Sequence, residues 1–276
     1  MSDNKRISII IVTYHTGDAV FDAINSALLQ DAFEIIVVDN GNDDGTRCRL
    51  QQMSIDTPNL TYIINNENIG FGAACNKGAK ASKGEILVFL NPDAKLEENA
   101  LFEMEKTAPN QIMGGLIKNH DGIEQRGARR NELTLKNAIF AFMGIKDEFN
   151  LDKNPMPNEI TPVANISGAF FAIHRSDFKN LKGFDEKFFL HVEDIDICTR
   201  FKKAGGDVVF NPNAQAFHIG GTSKALKIRV EYYKFMGFGR FFIKNGNWGE
   251  KIGFLFVAPF LFLAMMFRAI ISQKRH

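Results

Sequence analysis

The 276-residue chain has only 3 cysteines, Cys48, Cys75 and Cys198, and no two of them stand at Cys-x-x-Cys spacing. An odd, scattered set supports neither a disulfide framework nor a thiolate zinc site, and it fits a reducing compartment. An excess of one charge is missing too, since Lys+Arg 33 against Asp+Glu 32 leaves +1. That balance provides no basic field to draw the chain to nucleic acid by counterion release, so any charged ligand must be held by local groups. The first residues run into a strand pattern without the apolar stretch and cleavage site of a secretory signal, and the body of the protein is therefore expected in the cytoplasm. Repeats and low-complexity tracts are absent from the sequence. What is present is length and a hydrophobic content of 45%, enough for one large α/β domain or two small ones to bury a core.

From residue 7 to about residue 101, short β-branched runs alternate with helical patterns. The strand candidates are 7–13, 34–39, 60–64 and 85–90, and the helical ones include 19–29 and 71–81. Continuous apolar runs of this kind predict strands covered on both faces, hence a parallel, Rossmann-like sheet. In such sheets ligands sit beyond the carboxyl ends of the strands. Here those ends carry Thr13-Tyr14-His15, Asp39-Asn40-Gly41 and Asn91-Pro92-Asp93, a polar and acidic set. The stretch 111–162, with Gly114-Gly115, Pro155, Pro157 and an apolar patch at 138–144, reads as loops with one or two short elements. A second structured block follows: a strand at 168–173, a turn at 182–185, a helix from Glu193 to the Gly205-Gly206 stop, and a strand at 207–210.

Four constellations point to chemistry. Asn91-Pro92-Asp93 follows an apolar strand, where one carboxylate can hold Mg²⁺ or Mn²⁺ whose other ligands are phosphate oxygens. A plain strand-ending turn is the alternative. Glu193, Asp194 and Asp196 open a helix directly after the aromatic approach 183–191. Acids in a first turn complement the helix dipole, and Asp196 with Arg200 also reads as a simple i,i+4 pair. An apolar wall raises a carboxylate toward a general-base pKa, while the helix N-terminus lowers it. His218, followed by Gly220-Gly221, is either a metal ligand beside a segment able to close over an anion or a structural histidine. The run 68–72 has two glycines of a dinucleotide fingerprint, but Cys75 takes the third position; Gly70 reads better as a turn letting a helix N-terminus approach an anionic or sugar ligand.

The tail has another character. Over 226–245, Arg229, Lys234, Arg240 and Lys244 interleave with tyrosines and phenylalanines, which suits a helix lying in a membrane interface. The apolar run 252–267 falls between the ~18 residues that suggest a span and the ~10–14 that suggest an interfacial segment. A single crossing would place Lys274 and Arg275 outside, against the usual bias for basic residues, so in-plane or re-entrant attachment is expected. The alternative is a helical hairpin packed on the domain or on a second subunit.

In order along the chain stand SIIIVTY from Ser8, VVDN from Val37 with DDGT from Asp43, NIGFG from Asn68 with Asn76, LNPD from Leu90, SGA from Ser167, GFDEKFF from Gly183, EDID from Glu193, and His218. This ordered set resembles the inverting family 2 glycosyltransferases of GT-A fold, and within them the rhamnosyltransferase-like members that build bacterial surface polysaccharides. The resemblance implies an α/β GT-A domain, a mostly parallel Rossmann-like sheet flanked by helices, with a C-terminal helical membrane-associating segment. It divides the chain into a nucleotide-sugar-binding half at 1–110, an acceptor-binding and catalytic half at 111–223, and a tail at 224–276. By the same resemblance Thr13, Tyr14 and Asp39 line the nucleotide pocket, with Asp39 reading the pyrimidine or its ribose. Asp93 would bind Mg²⁺ or Mn²⁺ at the diphosphate, His218 would be a further ligand, and Asp194 would be the general base. Asn91 stands where the family's Asp-x-Asp begins, able to hydrogen-bond ribose or metal-bound water but bringing no charge. Implied partners are a dTDP- or UDP-linked sugar, a lipid-linked glycan acceptor and the cytoplasmic face of the plasma membrane, with a homo-oligomer open. The competing readings are a non-catalytic membrane-attached sugar-binding module and a Rossmann oxidoreductase.

Overall fold

The computed structural model describes residues 6–143, 147–218 and 226–273. Its first half is β1 (Ile7–Thr13), α1 (Ala19–Leu28), β2 (Glu34–Asp39), α2 (Asp44–Asp56), β3 (Leu60–Ile64), α3 (Phe71–Ala81) and β4 (Ile86–Leu90). The four strands pair in parallel in the order β3-β2-β1-β4. Every residue of β1, β2 and β4 is buried, as continuous apolar runs require when helices cover both faces. Ile9 and Ile11 join Val20 and Ile24 of α1 in one core, while Ile10 and Val12 join Ala74 and Ala79 of α3 in another. Small residues let α3 lie close: a Cβ on Gly78 would come within 2.7 Å of Ile10 Cγ2.

The second half contains β5 (Ala94–Leu96), α4 (Ala100–Glu105), β6 (Gln111–Lys118), β7 (Arg129–Arg130), α5 (Leu135–Met143), β8 (Thr161–Pro162), β9 (Asn165–Ile166), β10 (Phe170–His174), α6 (Arg175–Asn180), α7 (Glu193–Lys203) and β11 (Asp207–His218). β10 runs antiparallel between β4 and β6, β11 lies parallel to β6, and β5 and β8 pair with β11 antiparallel. The sheet is therefore mostly parallel, with β3, β2, β1, β4, β6 and β11 running one way.

Two expectations need correction. The stretch from 111 does not begin as a loop: β6 is an interior strand of the sheet. Its Gly114-Gly115 pair is there for packing, because a Cβ on Gly114 would meet Ile166 Cγ2 at 2.4 Å and one on Gly115 would meet Phe170 Cδ1 at 2.4 Å. The last strand continues beyond 210 to His218, through a register shift between Asn211 and Gln215 that accommodates Pro212.

The tail folds as two packed helices, α8 (Lys227–Asn245) and α9 (Trp248–Gln273). Ring contacts join Phe235 to Phe254 and Phe262, and Phe242 to Phe254. At one end Phe241, Phe242 and Phe254 share a core with Phe188, Val192 and Ile195 of the domain. The helix containing the 252–267 run is longer than that run, with Pro259 inside it. Over Trp248–Ile271 it is long and apolar enough to cross a membrane, and only 17% of its most apolar window is buried. Lys274 and Arg275, like Gly220-Gly221, lie outside the described residues.

Candidate active site

A cavity of about 1020 Å³ opens at the carboxyl ends of the strands and takes in Tyr14, Asn40, Asn91, Asp93, Asp194 and His218. Of the residues expected to face a ligand, Thr13 and Asp39 stand behind this wall. Thr13 is fully buried, its hydroxyl bonded to Thr16 Oγ1 (3.1 Å) and to the Asn42 amide. Asp39 is also fully buried and accepts four hydrogen bonds, from the N–H groups of Gly41 (2.8 Å) and Asn42 (2.9 Å), from Tyr62 Oη (2.6 Å) and from Arg47 Nε (3.2 Å). A carboxylate has about four acceptor positions, so Asp39 is spent on holding its own turn. Asn40, itself buried, borders the cavity instead, anchored by Asn68 and Asn65.

Gly70 has a packing reason for being glycine. Its φ is 90°, and a Cβ there would sit 2.8 Å from the Phe189 carbonyl oxygen. The next residue, Phe71, donates its N–H to that same oxygen at 2.9 Å. The glycine turn thus admits protein backbone. Asn76 completes the latch: its amide donates to the Phe184 carbonyl (3.0 Å) and accepts from the Phe184 N–H (2.9 Å). Phe184 itself packs edge-on to Phe89, Phe171 and Phe178.

Sheet register brings Asp93 and His218 together. Ala94 of β5 is paired with His218 of β11, which sets His218 Nε2 2.8 Å from Asp93 Oδ1. His218 Nδ1 lies 2.7 Å from Gln125 Oε1, and the Asn91 amide is 3.4 Å from Nε2. A ring nitrogen oriented by an amide oxygen, next to a carboxylate, is a donor set that fits a divalent ion. Among the described residues no group of three or more His, Cys, Asp or Glu could hold a metal. The protein alone would leave such an ion most of its coordination shell for phosphate and water, as Mg²⁺ prefers.

The third element is the entry to α7. His191 and Val192 both have positive φ, 68° and 71°. A β-branched residue in that region is strained by roughly 1–3 kcal/mol and needs its surroundings to hold it. They do so here: Val192 is buried in the core shared with the tail, and Gly237 of α8 packs against the His191 carbonyl and the Val192 side chain. The turn delivers Glu193 and Asp194 at the positive end of α7. Asp194 Oδ2 accepts from Arg130 Nη1 (2.9 Å) and from the Gly168 N–H (3.1 Å), and Oδ1 accepts from the Ile195 N–H (2.9 Å). Beyond that N–H, Oδ1 has one acceptor position to spare. Glu193 is 7% exposed and its Oε2 has no hydrogen-bond partner. Burial, then the charge of Asp194, push its carboxyl up to about 8. His191 is pushed down to about 4, by burial and then by Lys234. Asp196 is no mere i,i+4 partner: besides Arg200 (2.8 Å) it binds Lys244 (2.8 Å), which also holds Asp185, so α8 is clamped to α7.

Of the residues that the sequence puts forward, Tyr14, Asn40, Asn91, Asp93, Asp194 and His218 meet at one cavity; Arg130 and Gln125 escape sequence reasoning. No local motif marks Arg130, whose partner is 64 residues away. Sequence reasoning also misses that the tail reaches this cavity, through Lys227, Arg229, Tyr233 and Arg268.

The chain is 28% identical over 240 residues to an N-acetylglucosaminyl-diphospho-decaprenol L-rhamnosyltransferase of Mycobacterium tuberculosis, covering 77% of this chain and 75% of that protein. It is 27% identical over 228 residues to the rhamnosyltransferase WbbL of Escherichia coli K12, covering 77% and 83% respectively. Among solved structures, the mannosyltransferase PcManGT of Pyrobaculum calidifontis, in complex with GDP-Man and Mn²⁺, superposes with a TM-score of 0.62 at 16% identity, over 99% of this chain and 76% of that one. A longer solved protein is matched over only 50% of its length. A family model described as the N-terminal domain of galactosyltransferase matches residues 156–222. The model for glycosyl transferase family 2 matches residues 8–182, which hold every strand of the main sheet except β11, and the chain belongs to that family.

Proposed function

We propose that this glycosyltransferase moves a sugar from a nucleotide diphosphate donor to a lipid-linked or polysaccharide acceptor, with inversion at the anomeric carbon, and that it works in bacterial cell-surface glycan synthesis. The favoured donor is dTDP-rhamnose, with a UDP-sugar next. One observation carries the reading: a single cavity holds both the Asp93–His218 pair and a carboxylate, Asp194, with an acceptor position to spare. The similarity to two rhamnosyltransferases supports the sugar, and that to the M. tuberculosis N-acetylglucosaminyl-diphospho-decaprenol enzyme supports an acceptor built on a lipid diphosphate.

The chemistry follows from what the residues can do. Breaking the anomeric C–O bond passes through an oxocarbenium-like transition state while negative charge grows on the leaving diphosphate. A divalent ion held by Asp93 and His218 would supply Lewis-acid stabilisation of that charge. Asn91 and Gln125 orient the holders, and Tyr14 and Asn40 border the donor. Asp194 takes the proton of the acceptor hydroxyl as it attacks, worth ~10²–10⁴-fold as general-base catalysis. Arg130 and the Gly168 N–H fix Oδ2 and so aim Oδ1 at the hydroxyl. Glu193, kept protonated by burial and by Asp194, avoids placing a second negative charge beside the base. With one base and no enzymic nucleophile, a single displacement inverts the centre. The exposed apolar face of α9 suits a site of action at the cytoplasmic face of the plasma membrane.

The decisive experiment is a panel of nucleotide sugars assayed for transfer and for Mg²⁺- or Mn²⁺-dependent binding. Asp194→Asn is expected to lose ~10²–10⁴-fold in turnover while donor binding survives. Asp93→Ala is expected to lose the metal-dependent part of donor binding. Retained anomeric configuration by NMR, or full activity of Asp194→Asn, refutes the reading.

A further inference from the structure

Part of the cavity wall belongs to the tail: Lys227, Arg229 and Tyr233 come from the first turns of α8, and Arg268 from the far end of α9. Strand-end acids thus share one cavity with tail cations. Arg268 is within 3.4 Å of Glu231, and Arg126, also on the wall, is bound by Asp147. Arg229 and Lys234 have no carboxylate at ion-pair distance among the described residues. Burial presses the Lys234 ammonium toward its neutral form, and Arg268, Arg126 and Arg130 add to that pressure against the pull of Glu231. On this wall Arg229 is thus a cation without a carboxylate at ion-pair distance among the described residues, and Arg268 and Arg126 bring two paired guanidinium groups.

The same end adjoins an apolar surface. Phe256, Phe260, Leu263 and Phe267 are exposed at intervals of three and four along α9, a stripe of about 16 Å that runs up to Arg268. A ligand matching both features has an anionic group at the cations, a long apolar chain on the stripe, and a head group that reaches Asp194. The donor diphosphate matches only the first feature.

We infer that Arg229 and Arg268, both on the cavity wall, form a second anion subsite, which holds the diphosphate of a polyprenyl-linked acceptor while the isoprenoid chain lies along α9. This rests on the glycosyltransferase reading above and deepens it: the tail is a wall of the active site as well as a membrane contact. Arginine suits the task because its planar fork pairs two oxygens at once.

The test uses the full chain in detergent micelles and two probes, geranylgeranyl diphosphate and geranylgeraniol, with dTDP and UDP measured in parallel. The wild type is expected to bind the diphosphate about tenfold more tightly than the alcohol or better, the factor that one lost charge-assisted contact represents. The double variant Arg229→Gln/Arg268→Gln should lose that preference, with unchanged dTDP or UDP affinity and an unchanged melting temperature. Arg229→Lys/Arg268→Lys should keep most of it, which separates charge from misfolding. A preference that persists in the glutamine variant overturns the inference. So does a parallel fall in nucleotide affinity, which would give the cations to the donor. Failure of the wild type to bind dTDP or UDP and to transfer any sugar would instead remove the underlying reading, and the prenyl diphosphate measurement would still report on the subsite.

Discussion

The strand-end wall and the helical wall of the cavity are built in opposite ways. At the strand ends nearly every polar group is satisfied inside the domain: Asp39 by four donors, Thr13 by Thr16 and Asn42, Asn40 by Asn65 and Asn68. The helical wall carries two residues at positive φ, a buried carboxyl oxygen without a partner, and a dependence on aromatic packing from the tail. One wall is fixed by the sheet and would persist without the other. The second wall leans on α8, which on the proposed reading makes the acceptor side the conditional half of the site.

The largest blow to that contrast is Phe242→Ala. Phe242 is 1% exposed and joins α8 to Val192 and Ile195, and its removal is expected to cost about 3–5 kcal/mol. Hydrogen exchange should show protection lost in 188–196 and in the tail, with β1, β2 and β4 unaffected. Uniform loss across the chain would mean the two walls are one unit.

Glu193→Gln has a smaller effect with a definite sign. A carboxyl held up to about 8 in the folded protein keeps a proton that the unfolded chain has released, so stability falls as pH rises from the usual carboxylate value toward 8. The variant should lack this decline in thermal melts between about pH 5 and about pH 8. Parallel melting curves for wild type and variant would show that the carboxyl is ionised throughout.

Gly237→Ala is the finest probe. Its Cβ would meet the His191 carbonyl oxygen at 3.0 Å and Val192 Cγ2 at 3.1 Å, which must displace the turn that presents Asp194. A shift of a few tenths of an ångström should lower kcat by roughly three- to tenfold and leave donor KM alone. A changed donor KM with kcat intact would place the coupling on the wrong wall.

The contrast also explains what the sequence could reveal. The parallel strands were legible because apolar runs bounded by polar ends are a local pattern, and so were Asp93 and Asp194, which stand next to such patterns. Thr13, Asp39 and Gly70 stand at element ends, where the sequence predicts ligand contacts, whereas their bonds and packing to Asn42, Tyr62 and Phe189 are tertiary and have no local signal. β6 was hidden by Gly114-Gly115, since glycines that accommodate Ile166 and Phe170 look like glycines of a loop. Arg130 and the tail cations reach the cavity through long-range packing that no spacing encodes.

The pairing of His218 with Ala94 has one more consequence. The spacing of the Asp93–His218 pair is inherited from a strand register, and a slip of one residue would turn His218 to the other face of the sheet. The 123 residues between the two paired positions can therefore gain or lose loop length, and with it acceptor preference, as long as β5 and β11 still meet. On the proposed reading, variation in what is glycosylated is free to accumulate in those loops while the leaving-group end of the chemistry stays where the sheet puts it.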